Sequence, residues 1–218
     1  MEKLESEKLL SKAIVHVVDD DEAVLDSVSL LLTSIGINHH TYRTAQALLD
    51  AYAKAEFDHY NGCILMDIRM PFMSGIECQH KLVEAKCDLP IIFVTAYGDV
   101  PTAVETMKNG AVDFIEKPYR DQVLIDAIQK ALVKNISGQL KIAKISETQQ
   151  KLATLSSRET QVLKKILNGK ANKVIAVELS LSQRTVELHR AHVMEKMAVK
   201  SLAELIKITL DAIDLTQL

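Results

Sequence analysis

The sequence predicts an α/β doubly wound (βα)5 domain followed, through a linker helix, by an all-α four-helix domain. Three observations predict it. Short apolar runs alternate with segments of helical period over the first 134 residues, the signature of a parallel sheet covered by helices. Beyond residue 150 the strand-like runs stop and the apolar residues keep a helical period alone. The charge also changes sign along the chain. Through Asp126 there are 11 Lys and Arg against 21 Asp and Glu, a charge of −10. From Ala127 onward there are 15 against 8, or +7. Such asymmetry separates an acidic part from a basic part suited to an anionic partner.

The first run, Ile14-Val15-His16-Val17-Val18, ends in Asp19-Asp20-Asp21. From Glu22 to Ser34, Val24, Leu25, Val28, Leu31, Leu32 and Ile35 fall at helical spacing, closed by Gly36. Ile37 to Tyr42 is an edge-strand candidate, and Thr44 to Ala53 reads as helix. Cys63-Ile64-Leu65-Met66, with Gly62 before it and Pro71 soon after, reads as a buried parallel strand ending in Asp67. Gly75 to Ala85 reads as helix, and Leu89-Pro90 leads into Ile91-Ile92-Phe93-Val94, which ends in Thr95. Pro101 to Asn109 is a helix opened by proline and closed by Gly110. Val112-Asp113-Phe114-Ile115 ends in Glu116-Lys117-Pro118, and Asp121 to Lys134 is the last helix of this part.

Ser137-Gly138 reads as a weak break, followed by a polar linker helix over 139–154. The basic part then holds four helices. Ser156 and Glu159 form a capping box for a helix reaching Leu167. Asn172 to Leu179 is the second, Ser180-Leu181-Ser182 a turn, Gln183 to Met197 the third, and Ser201 to Leu210 the fourth. Two central helices separated by three or four residues have the helix-turn-helix proportion.

Open α/β sheets place their sites at the carboxyl edge of the strands. Here four strands deliver two or three acids, one acid (Asp67), one hydroxyl (Thr95) and one amine (Lys117) to that edge. Clustered carboxylates repel and raise one another's pKa unless a cation neutralises them. Mg²⁺ does so with a few carboxylates, a carbonyl and waters. The set suits phosphoryl transfer to a carboxylate. A terminal acid or a Lys-Pro pair alone is more often a cap or a turn; the weight lies in the combination.

The motifs Val17-Val18-Asp19-Asp20-Asp21, Met66-Asp67-Ile68-Arg69-Met70-Pro71-Phe72-Met73-Ser74-Gly75, Thr95-Ala96 and Phe114-Ile115-Glu116-Lys117-Pro118 resemble the receiver domain of bacterial response regulators. The resemblance implies that Asp67 is the phosphoacceptor. It implies a Mg²⁺ site from Asp20, Asp67 and the Arg69 backbone carbonyl, with Asp19 orienting a metal-bound water. Thr95 would be the switch hydroxyl, Phe114 the aromatic switch residue and Lys117 the phosphate-contacting amine, preceding a cis Lys117-Pro118 bond. Many receivers carry Tyr where Phe114 stands, so no ring hydroxyl is available here.

Leu155-Ser156-Ser157-Arg158-Glu159-Thr160-Gln161-Val162-Leu163, Asn168-Gly169-Lys170-Ala171-Asn172-Lys173 and Ser182 to His192 resemble the LuxR-type helix-turn-helix. The combination is similar to the NarL/FixJ family, FixJ-type branch. By that resemblance Glu187, Leu188 and Ala191 face bases. Lys173, Arg184, Thr185, His189, Arg190 and Lys196 are phosphate candidates, which fix register without reading sequence. The implied domains are a receiver over 12–134, a linker over 135–151 and a helix-turn-helix domain over 152–218. The implied function is a transcriptional response regulator phosphorylated by a cognate sensor histidine kinase and not itself an enzyme, beyond slow loss of its own phosphoryl group. Implied partners are double-stranded promoter DNA, RNA polymerase and, on phosphorylation, a second copy of the chain.

Two other readings compete. A hydrolase working through an aspartyl intermediate also places its nucleophile at a strand end, but usually with a second acid two residues on, where Arg69 stands. A receiver acting on a protein partner would use the C-terminal helices as a dimer module, against which the basic charge argues. No GxGxxG supports dinucleotide binding. His189 and His192 are three apart, but the sequence places no cysteine or acid near them for a metal. No apolar stretch reaches membrane-spanning length, and Met1-Glu2-Lys3-Leu4-Glu5 is too charged for a signal peptide. The three cysteines, Cys63, Cys78 and Cys87, form no CxxC pair. A reduced, cytoplasmic protein is expected.

Overall fold

A computed structural model describes residues 9–54, 61–96 and 98–213. The chain divides between residues 139 and 140 into two compact units.

The first unit holds five parallel strands, β1 (Ile14–Val18), β2 (Asn38–Tyr42), β3 (Gly62–Met66), β4 (Ile91–Thr95) and β5 (Asp113–Glu116), in the order β2-β1-β3-β4-β5. Between them run α1 (Glu22–Ser34), α2 (Ala45–Tyr52), α3 (Gly75–Glu84) and α4 (Val100–Lys108), and α5 (Asp121–Ala153) follows β5. All five residues of β3 and of β4 are buried, as central parallel strands covered on both faces require. On one face Val15, Val17, Leu65 and Val94 pack under Leu25, Val28 and Leu32 of α1 and under Leu124, Ile128 and Leu132 of α5. On the other, Val18, Ile64, Met66 and Phe93 pack with Ala45 and Leu48 of α2 and with Cys78 and Leu82 of α3. The period-two alternation of the strands thus feeds two separate cores.

The chain steps outward from β1 to β2 and then returns past β1 to β3. That reversal is a topological switch point, where ligands bind in open α/β sheets. Val18 lies opposite Met66 in the β1–β3 ladder, so the residues that follow, Asp19 and Asp67, leave adjacent strands side by side. α4 is the least anchored helix: only Thr106 is buried.

The expected weak break at Ser137-Gly138 lies beside the boundary between the two units but does not interrupt the helix. α5 runs unbroken for 33 residues. A glycine inside a helix costs about 1 kcal/mol relative to alanine, and its good helix-forming neighbours, Lys134, Gln139, Leu140 and Lys141, carry the helix through. Ser137 also satisfies itself locally, donating its hydroxyl to the Val133 carbonyl at 2.7 Å.

The second unit holds the end of α5 with α6 (Ser157–Leu167), α7 (Asn172–Leu179), α8 (Gln183–Lys196) and α9 (Leu202–Ile213). The expected capping box is present: Ser156 accepts from the Glu159 N–H, and Glu159 accepts from the Ser156 N–H. Ser180 ends α7 in the left-handed region at φ 53°, and the Ser182 side chain caps α8 by accepting from the Thr185 N–H at 3.0 Å. Val162, Leu163, Ile166, Ile175, Val186, Val193, Met197 and Leu205 form one core. Among the described residues no helix is long and apolar enough to cross a membrane.

Candidate functional site

At the carboxyl edge of β1 and β3, Asp19 and Asp67 are both buried, at 4% and 7% exposure. Lys117, just past β5, reaches between them. Its Nζ lies 2.5 Å from Asp19 Oδ2 and 3.4 Å from Asp67 Oδ1. The backbone holds the carboxylates from behind. The Arg69 N–H donates to Asp67 Oδ2 at 2.8 Å, and the Asp21 N–H donates to Asp19 Oδ1 at 3.0 Å.

Burial pushes the Asp67 carboxyl above its ordinary pKa. The Lys117 ammonium opposes that shift, and the Asp19 carboxylate reinforces it. Burial alone would lower Lys117, but its hydrogen bond to Asp19 and the two carboxylate charges outweigh this and raise it. The lysine is therefore a firmly charged cation among acids.

The acidic triplet after β1 divides its roles. Asp19 enters the site, Asp20 is exposed beside it, and Asp21 caps α1 by accepting from the Ala23 N–H at 2.9 Å. The sequence left open whether two or three of these acids belong to the site. The signal for Asp21 is its place before a helical pattern, the usual position of a capping acid.

Thr95 ends β4 and is fully buried; its carbonyl accepts the Lys117 N–H at 2.7 Å. The two residues are thus held together through the backbone. Phe114 is half-buried on β5, opposite Phe93 in the ladder. Its ring edge closes on Gly98 in the loop before α4, where a Cβ would lie 3.2 Å from it. The Lys117-Pro118 bond is cis.

In the helical unit, Val186, Val193 and Met197 are fully buried, fixing the inner face of α8. Arg184, Glu187, Leu188 and Ala191 are exposed, Thr185, His189 and Arg190 are partly exposed, and Lys173 on α7 is exposed. Leu188 keeps 55% of its surface open, a large apolar side chain on a basic face. Lys196 differs from the other phosphate candidates. Its ammonium pairs with Glu159 at 2.7 Å and donates to the Thr154 carbonyl at 3.2 Å, so it ties α8 to the start of α6.

Glu159 is the residue whose role the motif alone understated. Beyond capping α6 it receives Lys196, and His192 Nδ1 lies 3.7 Å from its second oxygen. The acid partner that the sequence did not place near His192 is therefore present. Even so, His189, His192 and Glu159 do not come together as a group able to hold a metal.

An α/β unit with paired acids and a lysine at its switch point, followed by a helix-turn-helix unit, defines a phosphorylation-activated transcription regulator. Residues 15–129 match the response regulator receiver domain, and residues 153–209 match the luxR family of bacterial regulatory proteins. The chain is 45% identical over 196 residues to the transcriptional regulatory protein FixJ of Rhizobium meliloti, covering 90% of this chain and 94% of that one. It is 40% identical over 198 residues to the response regulator protein TmoT of Ectopseudomonas mendocina, covering 91% and 88%. Among solved structures, response regulator StyR superposes with a TM-score of 0.76 at 38% identity, over 90% of this chain and 98% of that one. Full-length FixJ from B. japonicum superposes with a TM-score of 0.58 at 40% identity, over 92% and 97%.

The chain belongs to the response regulators that join a receiver domain to a LuxR-type helix-turn-helix, and its relatives are of FixJ type. It is a DNA-binding transcription regulator of a two-component system. The hydrolase and protein-partner readings fall away with this membership.

Proposed function

We propose that Asp67 accepts the phosphoryl group from a cognate sensor histidine kinase and that the helix-turn-helix then reads promoter DNA. Residues 12–134 act as the receiver, 135–151 as the linker and 152–218 as the DNA reader. One observation carries the reading: Asp19 and Asp67, both buried at the switch point, converge on Lys117.

Receiver domains generally bind Mg²⁺ at the phosphorylation site. The residues fit this ion, because Lys117 already stands where oxygens of two buried carboxylates meet one positive charge. Asp19, Asp20, Asp67 and the Arg69 carbonyl would hold it, a set of hard oxygen donors of the kind Mg²⁺ prefers. When bound, Mg²⁺ neutralises the clustered carboxylates and the oxygens of the transferred group.

The Asp67 carboxylate supplies the attacking oxygen. Lys117 offsets charge on the phosphoryl oxygens, and Thr95 donates its hydroxyl to the product. Phe114 follows that shift as the aromatic switch. The phosphoryl group leaves slowly by hydrolysis, which resets the chain.

Phosphorylation favours one of two receiver states. The surface that changes is α4 with β5 and the start of α5. Val100, Val104 and Met107 are exposed along one side of α4 at 76%, 45% and 45%, spaced as one helical stripe. This stripe supports pairing with a second copy, giving a two-fold dimer that matches a two-fold operator. DNA-bound dimers would then engage RNA polymerase. Glu187, Leu188 and Ala191 face bases, with Lys173, Arg184, Thr185, His189 and Arg190 on phosphates; Lys196 contributes through its hold on α6. The test is operator binding by the full chain with acetyl phosphate and Mg²⁺. The native protein gains affinity, and D67N gains none. Equal gains in both would overturn the reading.

A further inference from the structure

Glu187 is out of place on a surface that meets phosphates. Of the six other described acids of its unit, three are paired with lysines. Glu147 pairs with Lys151, Glu159 with Lys196, and Glu178 with Lys165 and Lys170, while Glu204 accepts the Lys200 N–H at 3.0 Å. Glu187 makes no hydrogen bond or ion pair with any described residue. It lies exposed in the N-terminal half of α8, the part of such a helix that contacts base edges. Arg184 and Arg190 lie three residues to either side, at a spacing that allows ion pairs on a helix. Neither pairs with it. The carboxylate is thus not employed in holding an arginine.

A free carboxylate brought against DNA is repelled by the phosphates unless it meets a hydrogen-bond donor. In the major groove the base donors are the amino groups of cytosine (N4) and adenine (N6). Beside the adenine amino group lies N7, an acceptor whose lone pair faces the second carboxylate oxygen. Beside the cytosine amino group lies only C5–H. A carboxylate therefore suits cytosine and disfavours adenine. The next residue, Leu188, is an exposed apolar side chain. The apolar group in the major groove is the thymine methyl. Glu187 and Leu188 line one shallow depression with Ser182, Arg184 and Thr185, and one helical residue rises about 1.5 Å, so both reach the same or neighbouring base pairs.

We propose that Glu187 reads a cytosine and Leu188 a neighbouring thymine methyl in each operator half-site. The proposal rests on the assignment of α8 as the groove helix and names the bases it selects.

The test is selection from a randomised duplex library by the full-length chain activated with beryllofluoride, comparing native protein, E187A and E187Q. Each variant is checked for native helix content, which an exposed position leaves intact. The native chain should enrich one cytosine per half-site beside a thymine. E187A should lose that cytosine preference by about tenfold, the scale of one base contact. E187Q should move the preference to adenine, because an amide both donates to N7 and accepts from N6. Replacing the selected thymine by deoxyuridine should weaken the native chain and leave L188A unchanged. Retention of the cytosine by E187A overturns the proposal. Loss of a guanine instead overturns it too, because Glu187 would then be positioning an arginine. No enrichment by the native chain would overturn the groove assignment and this proposal with it; failure of the variants alone leaves the groove assignment standing.

Discussion

A Cβ built on Gly75 would lie 2.2 Å from the backbone oxygen of Asp67 and 3.1 Å from the Phe93 ring. The N-terminus of α3 is thus pressed against the main chain just past β3, and the Gly75 N–H donates to the Ile68 carbonyl at 2.9 Å. Backbone cannot give way as a flexible side chain can. Gly75→Ala should cost about 1–3 kcal/mol of receiver stability, the range for overpacking. It should also displace Asp67 and slow phosphorylation by acetyl phosphate. Denaturant unfolding and the rate of acyl-phosphate formation check both. An unchanged rate at full stability would contradict the close approach.

Phe72, in the loop after β3, combines a left-handed backbone (φ 68°) with a fully exposed ring. The left-handed region costs a side-chain-bearing residue about 1–2 kcal/mol, and the exposed ring recovers nothing by burial. Phe72→Gly should therefore stabilise the receiver, by up to about 1 kcal/mol once the extra freedom of glycine in the unfolded chain is subtracted. A rise in Tm is expected. A fall would mean that the ring makes contacts in solution.

Glu159 is held at a pKa of about 2, against an ordinary 4.5, chiefly by the Lys196 hydrogen bond and then by the Ser156 N–H. A carboxyl depressed by folding adds stability that is fully present above its unfolded pKa. That stability is lost as pH falls from about 4.5 toward about 2. Lys196→Met should raise the Glu159 carboxyl toward 4.5 and flatten the acid loss of the helical unit. Carboxyl carbon NMR over pH 2–6 (roughly spanning the usual acid range) reads the shift directly. A midpoint that does not move in the variant would contradict the pairing.

Arg190 sits on α8 with no ion-pair partner among the described residues. Arg190→Ala should weaken binding on every duplex to a similar degree. Each phosphate contact contributes about −0.9 to the slope of log affinity against log salt, so that slope should become shallower by about one. A loss confined to one operator sequence would mean that Arg190 reads a base instead.

The strands were legible because buried parallel strands leave uninterrupted apolar runs, as in Ile91 to Val94, and because each run ended in a chemically pointed residue. The helix-turn-helix was legible because the Ser156–Glu159 box and Ser182 mark helix starts locally. Three things were not legible from the local pattern. The unbroken path of α5 through Gly138 depends on the sum of neighbouring propensities, which outweighs one glycine. The bond of Lys196 to Glu159 spans 37 positions, so the sequence placed Lys196 among outward phosphate candidates. The separation of Asp19 from Asp21 depends on which carboxylate the α1 N-terminus takes.

The most direct measurement is to incubate the full chain with acetyl phosphate and Mg²⁺, reduce the product with borohydride, and map the modified peptide. An acyl phosphate on Asp67 is reduced to homoserine at that position alone. Homoserine is expected at residue 67 in the native chain and nowhere in D67N. Homoserine at Asp19 or Asp20, or a phosphoryl group that survives borohydride on a hydroxyl side chain, would contradict it.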